Sequence, residues 1–353
     1  MKNKIILRGY QTEAIDRTLS KLKKDRFALV VLAVGAGKSW IMVDVAKQYK
    51  RVVVLQPCLE LVKQNHSKLE NSGLSTTMID SLHKGDWTAD YIYTTPQTLS
   101  KNLDKCAEPD LVIIDEANVA WEGKMTDAIL GKWKKCKVFG LTATPHYYRR
   151  KSIYKGGWVY SQTTTVSIEE MYGKAVISID RKKLKELGYG PDITITRTQI
   201  PMCKTEHLDN PVVYKKILDS HLLGVNNLLK TLSNGIVFCD SRKQAEWLSK
   251  VFNIPTIFGN TPKKKREDLV ERFNAGRIPF LLTVGCLVRG YDRQDLENIV
   301  LLTNFNNASE FEQVLGRLNR GTCKKTCWYN GKINQREPKD REVELVRIRR
   351  IGG

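Results

Sequence analysis

A glycine-rich segment has the composition of a loop that binds phosphate. It reads Ala33-Val34-Gly35-Ala36-Gly37-Lys38-Ser39 and stands between the apolar run Phe27 to Leu32 and a stretch compatible with a helix. Glycines let backbone N–H groups close around phosphates, and the amino terminus of the following helix adds its positive dipole. Lys38 would hold the β- and γ-phosphates of a nucleotide, and the Ser39 hydroxyl would bind Mg²⁺.

Two acidic residues, Asp115 and Glu116, directly follow the apolar run Leu111 to Ile114. If that run is a strand of the same parallel sheet, both side chains lie at its carboxyl edge, where open α/β sheets bind ligands. Asp115 can then hold Mg²⁺, and Glu116 can polarise a water molecule toward the γ-phosphate. Together with the glycine-rich loop, this pair predicts hydrolysis of a nucleoside triphosphate with Mg²⁺ as cofactor.

Short apolar runs with helical or loop segments between them must position these residues. The pattern is typical of buried parallel strands and predicts two tandem α/β domains, each a mostly parallel sheet flanked by helices. The runs of the first series are Phe27 to Leu32, Val52 to Leu55, Tyr91 to Thr94, Leu111 to Ile114 and Val138 to Leu141. Those of the second are Ile236 to Cys239, Thr256 to Phe258, Phe280 to Val284 and Ile299 to Leu302.

The expected division is a first domain of residues 1–150, a connector of 151–213, a second domain of 214–330 and a basic carboxyl-terminal tail of 331–353. In the connector we expect a helix at Arg181 to Leu187, ended by Gly188. Residues 321–353 carry nine Lys and Arg against four Asp and Glu, a net charge of +5. Two interpretations remain open here: added phosphate contacts, or an edge strand of the second domain at Glu342 to Ile348.

The whole chain is strongly basic and has no membrane-spanning run. Its 353 residues carry 58 Lys and Arg against 38 Asp and Glu, a net charge of +20. This favours a polyanionic partner, nucleic acid first, although a solvated basic surface is the alternative. Eight scattered cysteines fit a reducing cytosol better than a disulfide framework. Cys323 and Cys327 lack a second ligand pair nearby, so we expect no closed zinc site.

The chemistry-bearing segments follow one another in the order found in superfamily 2 helicases and translocases, which the sequence resembles along almost its whole length. In the first half they are 7-LRGYQ-11, the phosphate loop, 56-QPCLELVKQ-64, 94-TTPQTL-99, 115-DEAN-118 and 141-LTATP-145. In the second half they are 236-IVFCDS-241, 283-TVGCLVRGYD-292 and 313-QVLGRLNR-320. The resemblance implies two RecA-like domains with the ATP site in the cleft between them.

The same resemblance assigns roles around the nucleotide. Gln11 would read the adenine edge, with Arg8 in the same motif. Gly290 would permit close approach, and Asp292 would contact the ribose. The second-domain residues of the catalytic set would be Gln313 with Arg317 and Arg320, which resemble the arginine fingers that add positive charge to the transferred phosphoryl group.

Nucleic-acid contacts and their coupling to ATP are implied in the same way. Backbone-directed contacts with little sequence specificity are expected. The residues assigned to them are Gln56, Pro57, Thr95, Gln97, Ser241, Arg242, Gly259, Asn260 and Thr283. Coupling is assigned to Thr142, Thr144 and Asn118. Family members often carry Asp or His where Asn118 stands, but Asn still donates and accepts, so we expect coupling to survive.

A narrower resemblance is to RadD-type and phage or restriction-associated DNA motors, carried by 7-LRGYQTEAI-15, LTATP and 186-ELGYGPDI-193. We therefore expect an ATP-dependent helicase or translocase, close to a minimal motor, acting on DNA in replication, recombination or repair. The alternatives are a nucleotide-gated DNA clamp or motor subunit of a larger repair, replication or defence complex, and, less favoured, an RNA helicase. A cytoplasmic monomer is expected, nucleoid-associated or in an infected cell if virus-encoded.

Overall fold

The computed structural model describes residues 6–58, 61–63, 65–66, 70, 74–80, 83–120, 124–155, 158–201, 211–284, 295–305, 308–318, 324–330 and 343–350. The chain forms two compact units. The first consists of Met1–Glu186 together with Glu337–Gly353, and the second of Leu187–Arg336.

The first unit is built around a seven-stranded sheet in the order β3-β4-β2-β5-β6-β1-β9, with all its strand pairs parallel. The strands of this unit before residue 187 are β1 (Phe27–Leu32), β2 (Val52–Leu55), β3 (Thr76–Ile79), β4 (Tyr91–Thr94), β5 (Leu111–Asp115), β6 (Lys137–Thr142), β7 (His146–Lys155), β8 (Trp158–Ser167) and β9 (Ile177–Ile179).

Helices precede, separate and follow these strands. They are α1 (Gly9–Lys24), α2 (Lys38–Ala46), α3 (Pro96–Ser100), α4 (Ala117–Ala120), α5 (Lys124–Lys132), α6 (Glu169–Tyr172) and α7 (Arg181–Glu186). The helix expected at Arg181 to Leu187 is thus present, and Gly188 follows it with a left-handed φ of 81°. Because glycine has no Cβ, it reaches this conformation without strain and ends the helix there.

The second unit contains a six-stranded parallel sheet in the order β10-β15-β14-β11-β13-β12. Its strands are β10 (Ile193–Arg197), β11 (Gly235–Cys239), β12 (Thr256–Ile257), β13 (Phe280–Thr283), β14 (Asn298–Leu302) and β15 (Lys325–Tyr329). Its helices are α8 (Pro211–Lys230), α9 (Arg242–Phe252), α10 (Lys263–Asn274) and α11 (Ala308–Leu315).

Both faces of the second sheet are buried. On β11, Ile236 and Phe238 belong to one apolar cluster, whereas Val237 and Cys239 belong to another. Successive side chains of a strand point to opposite faces, so the two clusters lie on opposite sides of the sheet. Double burial explains why these strands are continuous apolar runs in the sequence and confirms the predicted fold class of mostly parallel sheets flanked by helices.

A third, antiparallel sheet was not expected. β7 and β8 pair as a hairpin, and β16 (Val343–Arg350) pairs antiparallel with β8, giving the order β16-β8-β7. Residues 151–186 are therefore part of the first unit instead of a connector, because the hairpin and β9 both pair within it. The tail contains a strand, but it returns to the first unit and does not form an edge of the second domain's sheet.

Among the described residues, no helix is long and apolar enough to cross a membrane.

Removing the returning strand is expected to destabilise the first unit. A chain that ends at residue 342 lacks β16 and leaves the backbone of β8 unpaired along one edge. We expect its melting temperature to fall by several degrees, since about 1 kcal/mol shifts Tm by about 2–4 °C in a domain of this size. Thermal unfolding followed by circular dichroism measures this, with deletion of residues 351–353 alone as the control. An unchanged Tm would show that β16 adds no stability.

Candidate functional site

The glycine-rich loop connects β1 to α2 and has the backbone of a phosphate cradle. Gly35 and Gly37 have left-handed φ values of 85° and 83°, and Gly37 stands directly before α2. Alternation of right- and left-handed backbone turns successive N–H groups toward one point, which makes a concavity for anions. The predicted roles of Gly35, Ala36 and Gly37 in nucleotide binding fit this geometry.

Two residues of α1 donate hydrogen bonds to this loop. The Tyr10 hydroxyl donates to the Ala36 carbonyl at 2.6 Å, and Gln11 Nε2 donates to the same oxygen at 3.0 Å. Gln11 Oε1 accepts from the Arg8 backbone N–H at 2.9 Å, which fixes the amide. A Cβ at Gly37 would lie 2.3 Å from Gln11 Nε2, so a larger residue there would displace the Gln11 amide, and the φ of 83° would strain its backbone. Gln11 therefore supports the loop, a role that the sequence did not indicate.

A buried asparagine joins the two residues expected to bind Mg²⁺. The Ser39 hydroxyl donates to Asn65 Oδ1 at 2.8 Å, and Asn65 Nδ2 donates to Asp115 Oδ2 at 3.3 Å. Only 2% of Asn65 is exposed. Lys38 donates to the Leu32 carbonyl at 3.2 Å, at the start of the same loop. Ser39 and Asp115 are thus linked through Asn65, a residue that the sequence did not single out.

Asp115 ends β5 and lies inside the protein. Burial raises the pKa of Asp115 to about 6, helped by the charge of Glu116 and opposed by that of Lys38. A buried carboxylate beside a hydroxyl supplies the hard oxygen ligands that Mg²⁺ prefers. The residues present therefore fit the cofactor, and a cation there would favour the ionised carboxylate.

Glu116 has an uncommon backbone conformation. Its φ is 48°, in the left-handed region, and its N–H donates to Asp115 Oδ1 at 3.0 Å. Such a conformation costs about 1–2 kcal/mol in a residue with a side chain. Its Oε2 is buried without a hydrogen-bond partner among the described residues. A strained acid with an unused acceptor fits a group that takes a hydrogen bond from water.

Gln56 lies at the edge of the sheet that carries Asp115 and is not at the protein surface. β2 pairs with β5 so that Leu55 is opposite Ile114, which places Gln56 beside Asp115. The side chain of Gln56 is fully buried and counteracts the rise in the pKa of Asp115. Its predicted nucleic-acid contact is therefore not supported, because no part of the residue is exposed.

The residues assigned to coupling are linked within the first unit. Thr142 Oγ1 lies 2.8 Å from Asn118 Oδ1 and accepts a 3.0 Å hydrogen bond from the Thr144 N–H. All three residues are buried. The end of β6 is thereby tied to Asn118, which closely follows Asp115 and Glu116 in the sequence.

The other residues predicted to contact nucleic acid differ in exposure. In the first unit Gln97 is exposed and Pro57 half-buried, but Thr95 is buried and its hydroxyl accepts from the Thr98 N–H at the start of α3. In the second unit Thr283 is fully buried and donates to the Ile257 carbonyl at 3.0 Å. Neither threonine presents its hydroxyl to solvent.

A second-unit group of predicted residues is exposed and adjacent. Ser241 caps the amino terminus of α9, and the guanidinium of Arg242 lies 5.5 Å from the centre of the Phe258 ring. Gly259 and Asn260 follow Phe258 and are exposed, as are Ser241 and Arg242. These four residues therefore form one accessible surface.

The catalytic residues assigned to the second unit are only partly described. Gln313 lies on α11 and Arg317 follows it, and both are buried, 7% and 8% exposed. Gly290, Asp292 and Arg320 lie outside the described residues, so their roles stay predictions. Cys323 also lies outside them, while Cys327 is buried in the core of the second unit.

Removing the Asn65 bridge is expected to raise the Mg²⁺ requirement. Asn65→Leu keeps the branched shape of the side chain but leaves Ser39 and Asp115 without their shared partner. Loss of a residue that orients metal ligands costs about 10–100-fold in metal affinity or activity. A Mg²⁺ titration of ATP turnover should therefore half-saturate at least about tenfold higher. The control is Asn102→Leu, which removes a hydrogen bond to Thr98 in the same unit; equal Mg²⁺ dependence of the two variants would contradict the role.

Gln11→Ala is expected to weaken the support of the phosphate loop and to reduce the preference for ATP over GTP. Tyr10→Phe is the matched control, because it removes a hydrogen bond to the same Ala36 carbonyl without changing Gln11. We expect both variants to raise the KM for nucleotide, and only Gln11→Ala to narrow the preference for ATP over GTP. Parallel turnover assays with the two nucleotides measure this. Equal use of ATP and GTP by the wild type would rule out adenine reading.

Two family models cover most of the chain. The model described as "Type III restriction enzyme, res subunit" matches residues 4–147, and the "Helicase conserved C-terminal domain" matches residues 217–322. The first contains the phosphate loop and the Asp115–Glu116 pair, and the second contains Gln313 and Arg317.

Similar proteins include motors named for DNA and for RNA. A DNA 3'-5' translocase XPB2 of Sulfurisphaera tokodaii is 25% identical over 367 residues, covering 91% of this chain and 80% of its own length. An ATP-dependent RNA helicase DDX25 of Xenopus laevis is 33% identical over 308 residues, covering 79% of this chain and 57% of its own length.

Among solved structures, a fragment of a putative HsdR subunit of a type I restriction enzyme from Vibrio vulnificus YJ016 superposes with a TM-score of 0.68 at 16% identity. It covers 93% of this chain and 64% of that one. This likeness concerns the fold and agrees with two RecA-like domains. The two matched models, the ordered motifs and the geometry of the phosphate loop place the chain in superfamily 2 of helicases and translocases, a family of ATP-hydrolysing enzymes.

Proposed function

We propose that this chain is a nucleic-acid-stimulated ATPase that moves along DNA. The observation that carries the proposal is the buried link from the Ser39 hydroxyl through Asn65 to Asp115, beside the left-handed Glu116. This arrangement ties the phosphate loop to the acidic pair at one edge of a parallel sheet. Such an edge is where nucleotide-hydrolysing enzymes of this architecture hold the phosphates.

Each residue has a separate task in ATP hydrolysis to ADP and phosphate. Lys38 would leave the Leu32 carbonyl and bind the β- and γ-phosphates. Mg²⁺, held by Ser39 and Asp115, would supply positive charge to those phosphates. Glu116 would accept a hydrogen bond from the attacking water and take its proton, as the bond from the water oxygen to the γ-phosphorus forms and the bond from that phosphorus to the leaving oxygen of ADP breaks.

The family resemblance assigns the remaining catalytic residues to the second unit. Arg317 and Arg320 would add positive charge to the transferred phosphoryl group, as the family resemblance implies. Through its hydrogen bond to Asn118, Thr142 would couple ATP binding and hydrolysis to the segment that ends in Pro145. Closing with ATP and opening after hydrolysis would then shift the grip on the polymer once per cycle.

DNA is favoured over RNA as the polymer. The relative named as a DNA translocase matches more of this chain than the one named as an RNA helicase, 91% against 79%, and more of its own length. The net charge of +20 fits either polyanion. We propose action in DNA replication, recombination or repair by a cytoplasmic monomer, with protein partners from a repair, replication or defence complex.

A second candidate is a nucleotide-gated clamp or motor subunit that does not separate strands. Its support is the composition of the described residues: two parallel-sheet units and one small antiparallel sheet. Within that part of the chain, no further folded unit stands beside the two that would act as a strand-separating domain.

Two displacement assays separate these candidates. One measures ATP-driven removal of streptavidin from biotinylated single strands, and the other measures opening of a fluorescently labelled fork, each with DNA and with RNA. Glu116→Gln is the inactive control. We expect ATP-dependent displacement on DNA, with fork opening if the chain is a helicase. Displacement without fork opening would identify a translocase, and neither, despite stimulated ATP turnover, would identify a clamp.

A further inference from the structure

The small antiparallel sheet, β7, β8 and β16, has an uneven composition. Residues 146–167, which contain β7 and β8, include four Lys and Arg and no Asp or Glu. β16 adds three Arg against one Glu. In a chain with 38 acidic residues, such a stretch concentrates positive charge in one element. A local excess of this kind attracts a polyanion.

Described side chains place part of this charge at the surface. Arg149 and Lys151 are exposed, and they stand two residues apart on β7, so they share one face of the sheet. Their neighbours across the hairpin are Thr164 and Gln162. Hydroxyl, amide and cationic side chains are those that most often bind phosphate and sugar oxygens.

Arg149 is held in position. Its Nη2 donates to the Tyr147 hydroxyl at 2.8 Å, and its guanidinium lies 5.4 Å from the centre of the Tyr147 ring. Tyr147 is itself 2% exposed and packs in the core of the first unit. A guanidinium fixed in this way loses less conformational entropy when it binds a phosphate.

The base of the sheet is joined to the coupling segment. β7 starts at His146, directly after Pro145, and the Ile168 N–H that follows β8 donates to the Pro145 carbonyl at 2.9 Å. Val166 and Ile168 are buried in the same core as Tyr147. A ligand on the sheet would therefore be connected through this segment to Thr142 and, by its hydrogen bond, to Asn118.

We propose that the β7-β8-β16 sheet is a second nucleic-acid-binding surface, which contacts the phosphodiester backbone without reading bases. It lies outside the motifs common to this superfamily, and the inference rests on the proposed function. The hairpin has four cations and no acidic residue between 146 and 167, and this charge favours a polyanion such as nucleic acid as the ligand.

Cations on β7 could instead serve only to protect a sheet edge, since β7 is an outer strand. That role and phosphate binding differ in salt dependence. Each phosphate contact adds about 0.9 to the slope of log affinity against log salt for duplex DNA, and about 0.7 for single strands. Edge protection adds nothing to this slope.

The test compares two double variants with the same change in charge. Arg149→Gln with Lys151→Gln removes the exposed cations of β7. Lys134→Gln with Lys135→Gln removes two exposed cations that precede β6, at the opposite edge of the sheet from the motif loops. Fluorescence anisotropy measures affinity for labelled single-stranded DNA, duplex DNA and RNA between about 50 and 200 mM salt.

We expect the β7 variant to flatten the duplex slope by about 1.8, so that its affinity falls about tenfold less than that of the wild type over this range. The Lys134 and Lys135 variant should keep the wild-type slope. Arg149→Lys should also keep it, because the charge remains. If the double variant does not fold, Lys151→Gln alone should still flatten the slope, by about half as much.

Equal slopes for the β7 variant and its control, with both folded, would overturn the proposal and leave edge protection as the role of these cations. A wild type that binds neither DNA nor RNA would instead refute the proposed function itself. A wild type that binds, with only the β7 variant altered, supports both.

Discussion

Glu116→Gln is expected to stop ATP turnover while ATP still binds. The change keeps the size of the side chain but removes its capacity to take a proton, and loss of a general base costs about 10²–10⁴-fold in rate. Lys38 and the phosphate loop are untouched, so nucleotide affinity should stay near that of the wild type. Lys38→Ala should lose turnover as well, but with weakened nucleotide binding.

Single-turnover hydrolysis and titration with a fluorescent ATP analogue separate the two variants. Glu13→Gln is a matched control, because Glu13 is an exposed acid of α1 that pairs with Arg17. It should retain both rate and affinity. If Glu116→Gln hydrolyses ATP at the wild-type rate, the acid that activates water is another residue.

Arg317→Ala should cost about 10³-fold or more in turnover, the loss typical of an arginine finger. Nucleotide affinity should change little, because the charge is needed mainly where negative charge develops in the transition state. Arg320→Ala is expected to behave in the same way. Steady-state turnover and nucleotide titration measure the two quantities.

Arg317 is buried, so its replacement also needs a control for folding. Arg317→Lys keeps the positive charge without the planar fork, and thermal unfolding of both variants reports stability. A stable Arg317→Ala variant with the wild-type rate would exclude the finger role. A rate loss in Arg317→Ala that Arg317→Lys partly restores would support it.

The parallel strands were predictable because burial on both faces makes them continuous apolar runs. β1, β2 and β4 match the predicted ranges without change. The hairpin strand β7 was missed because six of the ten side chains of His146–Lys155 are histidine, serine, lysine or arginine, and they interrupt any apolar pattern. The pairing of β16 with β8 joins segments far apart in the sequence, and no local pattern specifies such a partner.

The site was predictable where a local pattern has a chemical reason. Lys38, Ser39 and Asp115 lie where the loop and the strand end predict them. Asn65 was missed because it stands just beyond the recognised segment 56–64. The burial of Gln56 could have been predicted from the sequence. Like Asp115 it follows an apolar run, and neighbouring parallel strands end at the same edge of a sheet.

We expect nucleic acid to stimulate the rate of ATP hydrolysis by this chain. The most direct test is the steady-state rate of ATP turnover with no polymer, single-stranded DNA, forked duplex DNA and RNA in parallel, at one salt concentration. We expect a low rate without polymer and a clear stimulation by DNA that exceeds the stimulation by RNA. A rate that is the same under all four conditions would contradict it.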